Sequence, residues 1–241
     1  MRFIKLDATS STNDYLKELT KKQHTEPFTV VSAERQTKGR GQRGSSWLSE
    51  EGRNLTFSIL IRSDHQQLRY LFLLNAAVAL SLVDTLNKFS IPEPSIKWPN
   101  DIMSGSKKVA GILIENTLSA GGEITSIVGV GLNVNQKDFE GLPKASSLSI
   151  VADRTFDKEV LLHSAATEMK SVVESIAENP EQIWSRYNSL LFRRGMLTEF
   201  VLEDETSLYG SIVRVQENGL LEVSVGAELR TYDVKQIRMI Y

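Results

Sequence analysis

Residues 97–115 read Lys97-Trp98-Pro99-Asn100-Asp101-Ile102-Met103-Ser104-Gly105-Ser106-Lys107-Lys108-Val109-Ala110-Gly111-Ile112-Leu113-Ile114-Glu115. Asp101 to Met103 enters a hairpin, Ser104-Gly105-Ser106 has turn chemistry, and Val109 to Glu115 returns as a strand. A turn this short joins antiparallel strands, because a parallel pair needs a long crossover. Ile124 to Val134 comes after the turn residues Ala120-Gly121-Gly122 as a further strand. A sheet built from hairpins, with helices before and after it, is α+β rather than strictly alternating α/β.

Upstream, Phe3 to Leu6 is a short strand. Ser10, Ser11, Thr12 and Asn13 offer helix caps ahead of Tyr15, Leu16 and Leu19, which share a face at helical spacing. Phe28 to Glu34 is β-branched and apolar, and Leu55, Phe57, Ile59 and Ile61 alternate along a strand over 54–61. Between these strands, from Gln36 to Gly52, the apolar pattern stops around a lone Trp47. Leu68 to Phe89 reads as a long helix, Pro92, Pro94 and Pro99 break the stretch beyond it, and Asn135 to Ser149 reads as a loop. Asp157 to Ala177 and Pro180 to Phe192 are helical, with Pro180 suited to a first position. After Arg194-Gly195 come short strands at 196–201, 208–215, 220–225 and 237–241, a spacing that suggests a small β-barrel. The expected division is residues 1–192 and 193–241.

Apolar residues make up 41% of the 241 and charged residues 24%, which excludes a disordered, collagen-like or coiled-coil chain. Lys and Arg number 28 against 30 Asp and Glu, so no global charge draws the chain to nucleic acid or an anionic membrane. Cysteine is absent, which excludes a disulfide framework, a thiolate metal site and a Cys nucleophile, and is compatible with the cytoplasm. Met1 to Asp7 shows no signal-peptide run. Asn75 and Ser81 interrupt the apolar stretch 68–83, which is shorter than the roughly 20 residues of a membrane span and reads as a buried helix. His24, His65 and His163 match no metal spacing and read as surface residues, and no GxSxG is present.

Four clusters could carry chemistry. Gly39-Arg40-Gly41-Gln42-Arg43-Gly44 matches GxGxxG, but no apolar helical stripe comes after it and no Lys-Ser/Thr succeeds Gly44, so neither a dinucleotide fingerprint nor a P-loop is expected. It reads either as a surface loop or as a mobile anion-binding loop in which Lys38, Arg40 and Arg43 supply charge. Lys97-Trp98-Pro99-Asn100-Asp101 reads as a buried Trp beside a turn, or as a polar constellation for Mg²⁺-bound phosphates. Lys107-Lys108 at the head of an apolar strand with Gly111 inside it marks a protected edge or a ligand approach. Gly129-Val130-Gly131-Leu132-Asn133 clears one strand face, for a packed helix or for a flat ligand, while Val128, Val130 and Leu132 pack the other.

In this order, with Ser11-Thr12-Asn13, Gln36 to Gly41, Trp47 and Lys108 to Glu115, these motifs resemble those of biotin–protein ligases across most of residues 1–192. The resemblance implies a mixed sheet packed with helices, a class II synthetase-like biotin ligase catalytic domain, and a small C-terminal SH3-like β-barrel. It implies ATP and Mg²⁺ with biotin as substrate and no bound prosthetic group. Biotin and MgATP would give biotinyl-5′-AMP and pyrophosphate, and a lysine of a biotin carboxyl carrier domain would then attack the anhydride.

The roles implied for single residues match that chemistry. Lys108 and Arg40 neutralise charge as carboxylate meets α-phosphate. Ser11, Thr12, Asn13, Gln36, Gly39, Arg40, Gly41, Gln42 and Lys108 surround biotin over a floor of Gly111, Gly129 and Gly131. Arg40, Arg43, Trp47, Lys97, Asn100, Lys108 and Asn133 face the nucleotide. Asp101 holds Mg²⁺ through the phosphates or takes the proton of the acceptor amine, whose neutralisation from a pKa of about 10.4 costs roughly 4–5 kcal/mol at pH 7.

Gln42 and Ser45 depart from the family, which often has basic residues there, and this weakens the loop's grip on the intermediate. Some members carry an N-terminal DNA-binding domain. Ser11 lies too close to Met1 for one, so the expectation is a monofunctional ligase without DNA or membrane partners. A lipoate or octanoate ligase is the alternative enzyme, and a catalytically dead biotin-binding module is the other. An exposed strand edge is compatible with a homodimer.

Overall fold

The computed structural model describes residues 1–63, 71–119 and 122–241. Strands β1 (Phe3–Thr9), β2 (Val30–Gln36), β3 (Leu55–Ser63), β4 (Pro94–Lys97), β5 (Asp101–Ser104), β6 (Lys107–Leu118) and β7 (Ile124–Leu132) form one sheet in the order β1-β2-β3-β7-β6-β5-β4. β1 and β2 run parallel and are joined through helix α1 (Thr12–Lys22). The other neighbouring pairs are antiparallel, as the hairpin reading requires. Strand β4 lies in the stretch that its prolines make look broken. It is an edge strand with Pro94 as its first residue, where a missing N–H is tolerated.

Alternation along the strands sorts the side chains into two layers. Leu55, Phe57, Ile59 and Ile61 of β3, with Val128, Val130 and Leu132 of β7, enter the main core. Helices α2 (Leu71–Lys88), α4 (Lys158–Glu174) and α5 (Pro180–Ser189) build that core, and α2 packs on both other helices as well as on β4 and β5. A short helix, α3 (Leu148–Val151), begins at the last two residues of the expected loop. Helix α2 is apolar enough by composition to cross a membrane, but 72% of it is buried inside the protein. Truncating Leu80, which is fully buried there, removes about 2–5 kcal/mol of stability. On the other face of the sheet, Leu16 of α1 packs against Val31, Leu60 and Ile127. The expected helix start at 68–70, the turn residues 120 and 121, and His65 lie outside the described residues.

Strands β8 (Leu197–Leu202), β9 (Ser207–Val215), β10 (Leu221–Val225), β11 (Glu228–Tyr232) and β12 (Ile237–Met239) form a second sheet, antiparallel throughout, in the order β11-β10-β9-β8-β12. Its register describes a five-stranded sheet with β11 and β12 at the edges, where the sequence suggests a barrel. Strand β11 leaves no apolar signature because it is almost entirely exposed. Phe200, Ile212, Val215, Leu221, Val223 and Ile237 join the main core, so the two sheets share one apolar interior. Trp98 reinforces the junction by donating its indole N–H to the Gly219 carbonyl at 3.0 Å.

Candidate active site

The strand register assembles the site. Thr56 of β3 pairs with Gly131 of β7, Gly131 with Gly111 of β6, Gly111 with Asp101 of β5, and Asp101 with Lys97 of β4. Five residues from five strands thus form one row across the sheet, on the face that carries α1. The parallel row two residues along each strand contains Ser58, Gly129 and Leu113. Gly131, Gly111, Asp101 and Lys97 of the first row and Gly129 and Leu113 of the second line a cavity of about 350 Å³. Each glycine has a specific guest. A Cβ on Gly129 would lie 2.3 Å from Asn13 Oδ1, and one on Gly131 would lie 2.2 Å from Trp47 Cε2. The face cleared by glycine therefore admits an asparagine from α1 and the indole of the glycine-rich loop.

Lys108 reaches this face through a β-bulge. The register shifts between Ile102 and Met103, which pair with Ala110 and Lys108, so Val109 is an extra residue. Regular alternation would put Lys108 on the core side with Ala110 and Ile112. The bulge lets Val109 and Ala110 both enter the core and turns Lys108 outward. Its Nζ lies 2.6 Å from Asp101 Oδ1, while Lys97 Nζ lies 3.4 Å from Oδ2. Lys108 Nζ also sits 5.6 Å from the Trp47 ring centroid. The Asp101 carboxylate is thus flanked by two ammonium groups in a site where it is only 15% exposed. Among the described residues no three His, Cys, Asp or Glu side chains come together. With both oxygens facing lysines, Asp101 does not fit a directly coordinated divalent cation.

The loop after β2 closes as a small hairpin. Trp47 N–H donates to Gly39 O at 3.0 Å, Arg40 bridges to Ser46, Gly41 N–H donates to Ser45 O at 2.7 Å, and residues 42–44 form a 3-10 turn. The Trp47 indole N–H is buried without a partner among the protein's described atoms. Arg40 Nη2 lies 2.6 Å from Asp14 and 2.8 Å from Glu115. On the α1 side of the cavity, Gln36 Oε1 accepts from the Thr12 N–H at 2.7 Å and from its hydroxyl at 3.1 Å. Ser11 caps α1 and begins this polar wall.

Of the residues expected from sequence, Ser11, Thr12, Asn13, Gln36, Arg40, Gly41, Gln42, Trp47, Lys97, Asn100, Asp101, Lys108, Gly111, Gly129 and Gly131 line one cavity. Gly39 stands behind the lining, packed on the Trp47 carbonyl. Asn133 is buried and bonds to Ser146 O at 3.0 Å instead of facing the cavity. Asn100 lines the cavity but donates to Ile112 O at 2.7 Å, which stitches the turn before β5 to β6. The Arg43 side chain lies outside the described residues. Sequence reasoning missed the wall that the second sheet supplies, made of Phe200, Ile212, Leu221, Val234, Ile237, Arg238 and Met239. Nearby, Tyr241 lies between Lys97 and Lys144, with ring centroid distances of 5.4 and 4.1 Å. Burial, and then the charge of Asp101, raise its phenol above the ordinary tyrosine pKa.

The arrangement is a flat, glycine-floored slot with neutral hydrogen-bonding groups at one end and lysines at the other. That chemistry suits a planar polar ring joined to an anion. Comparison with known proteins agrees. The sequence pattern of the family described as "Biotin/lipoate A/B protein ligase family" matches residues 6–135. The bifunctional ligase/repressor BirA of Bacillus subtilis is 37% identical over 136 residues, covering 54% of this chain and 41% of that protein. The chain therefore spans about two fifths of the length of this relative, and likewise 41% of the Escherichia coli protein of the same name. The biotin--[acetyl-CoA-carboxylase] ligase of Mycobacterium tuberculosis is 27% identical over 82% of this chain and 73% of its own length. The structure of biotin protein ligase from Aquifex aeolicus in complex with biotin and ATP superposes with a TM-score of 0.82 at 26% identity, covering 99% of this chain and 98% of that one. Since the family pattern covers more than half of the 241 residues, the chain belongs to the biotin/lipoate A/B protein ligase family.

Proposed function

We propose that this protein activates biotin with MgATP and transfers it to a lysine of a biotin carboxyl carrier domain in the cytoplasm. The observation that carries the reading is the position of Lys108, whose ammonium stands beside Asp101 at the charged end of the glycine floor. In the first step a biotin carboxylate oxygen attacks the α-phosphorus of ATP, and the bond to pyrophosphate breaks. Two anions must meet, so cations held in place before the reaction lower the barrier. Lys108 and Lys97 serve that end, with Arg40 at the loop. Mg²⁺ enters bound to the nucleotide as part of the substrate. In the second step the acceptor amine attacks the carbonyl carbon of biotinyl-5′-AMP, AMP leaves and an amide forms. Asp101 is the only carboxylate among the described lining residues, and it takes the amine's proton. Thr12 and Gln36 hold the ureido ring.

Residues 1–192 carry this chemistry, and residues 193–241 form a smaller domain that supplies the apolar wall. The biotin and ATP named for the Aquifex structure support both halves of the slot. The test is pyrophosphate release by the purified chain with MgATP and biotin, lipoate or octanoate, with mass detection of the acyl-AMP. Biotin-dependent release with a biotinyl-AMP mass is the expected result. Release with lipoate or octanoate alone refutes the substrate, and no release from folded protein refutes the activity.

A further inference from the structure

We infer that Glu115 is a positioning residue that holds Arg40 so that its guanidinium presents its remaining edge to the ligand's anionic end. The inference rests on the reading of the slot as a biotin site.

Glu115 lies four residues beyond Gly111 on the same face of β6 but does not line the cavity. Its Oε2 accepts from Arg40 Nη2 at 2.8 Å and from Asn13 Nδ2 at 2.9 Å. Asp14 accepts from the same Nη2 at 2.6 Å. Both contacts use one terminal nitrogen of the guanidinium, so they orient it without engaging Nε or Nη1. Glu115 is the firmer anchor, at 23% side-chain exposure against 45% for Asp14, since exposed pairs are weakened by solvent. Behind it the bonding continues. Asn13 Oδ1 accepts from the Ser58 hydroxyl at 2.6 Å, Ser58 lies 2.7 Å from the Thr12 hydroxyl, and Thr12 donates to Gln36. Asn13 and Ser58 are buried. One polar chain thus links Gln36 and Thr12 to Arg40, with Glu115 as the junction between the rigid sheet and the loop.

Positioning and simple electrostatics predict opposite signs. If Glu115 were only a negative charge near an anionic ligand, neutralising it would tighten biotin binding. If it positions Arg40, neutralising it weakens binding. The test compares Glu115→Gln and Glu115→Ala with wild type. It measures biotin Kd by calorimetry, KM and kcat for pyrophosphate release, the rate of tryptic cleavage after Arg40 and Arg43, and Tm. For Glu115→Gln we expect biotin affinity lower by about tenfold, the loss of one charge-assisted hydrogen bond. The loss should appear in KM for biotin more than in kcat, with faster loop cleavage and a Tm near wild type. Asp14→Asn should change affinity within about threefold. Unchanged or tighter biotin binding by Glu115→Gln, with unchanged cleavage, overturns the inference. The isosteric Gln variant keeps the test valid if the Ala variant does not fold. If wild type binds no biotin, the functional reading fails, and the cleavage rates still decide whether Glu115 holds the loop.

Discussion

Gly129 and Gly131 stand two residues apart on one face of β7, yet alanine has different consequences at each. At Gly129 a Cβ would fall 2.3 Å from Oδ1 and 2.9 Å from Cγ of Asn13. Asn13 has no room to retreat, because it is 4% exposed, belongs to the first turn of α1, and is bonded to Ser58 and Glu115. Displacing it breaks a neutral hydrogen bond worth about 1 kcal/mol and a charge-assisted one worth about 2 kcal/mol. Overpacking adds about 1–3 kcal/mol. A total loss of roughly 4–6 kcal/mol lowers Tm by roughly 8–24 °C for a chain of this length. At Gly131 the clash is with the Trp47 ring, at 2.2 Å, and Trp47 belongs to a surface loop that can lift as a unit. The loss is the packing of one ring, about 1–2 kcal/mol, and roughly 2–8 °C in Tm. Thermal melting with intrinsic fluorescence separates the two. Gly131→Ala should red-shift the Trp47 emission while Trp98 and Trp184, each 8% exposed, stay in the core. A Gly129→Ala variant that melts within about 3 °C of wild type, or above Gly131→Ala, would refute this reasoning.

Lys108→Met should slow biotin-dependent pyrophosphate release by about 100-fold or more, the usual cost of losing a preorganised electrostatic group. Its Tm should change little because Lys97 still faces Asp101; kcat within about tenfold of wild type would contradict the role. Asp101→Asn should slow transfer from preformed biotinyl-5′-AMP by about 100-fold. Unimpaired transfer would show that Asp101 acts through its lysines and not on the acceptor's proton. Tyr187→Phe should be neutral or stabilising by about 1 kcal/mol at pH 7, because the fully buried hydroxyl has no partner in the described structure. Burial raises the Tyr187 phenol, so the unfolded chain loses this proton first, from about pH 10, and stability falls as pH rises beyond that. Melting curves from pH 8 to 11 should decline less steeply in the variant.

Short-range patterns carried most of the fold. The alternation over Leu55 to Ile61 identified the core face of β3, and Gly105 turned the β5–β6 hairpin with φ at +53°. Pro180 opened α5, and Gly129 and Gly131 marked a cleared face. The features that stayed hidden depended on partners distant in sequence. An edge strand such as β4 carries little period of its own, and β11 carries none because water meets both of its faces. The apolar residues of β8, β9, β10 and β12 look like ordinary core in sequence, and only tertiary packing makes some of them a cavity wall. Asn133 shows the reverse. Its motif pointed at a ligand, while its amide secures the Ser146 carbonyl behind the sheet. The Arg40–Glu115 contact spans 75 residues and leaves no local trace.

Val109 gives the strand count a chemical meaning. It is one residue more than regular pairing between β5 and β6 requires, and both it and Ala110 are fully buried. Regular alternation with Val109 kept in the strand would put Lys108 in phase with Ala110 and Ile112 and turn it from the slot into a layer of valine and isoleucine. The same sheet would then form around a buried ammonium, and the Asp101 end of the slot would keep Lys97 alone. Which face the lysine serves is therefore set by the local geometry of a strand as much as by the identity of the residue, and the bulge is the feature that delivers Lys108 to the slot.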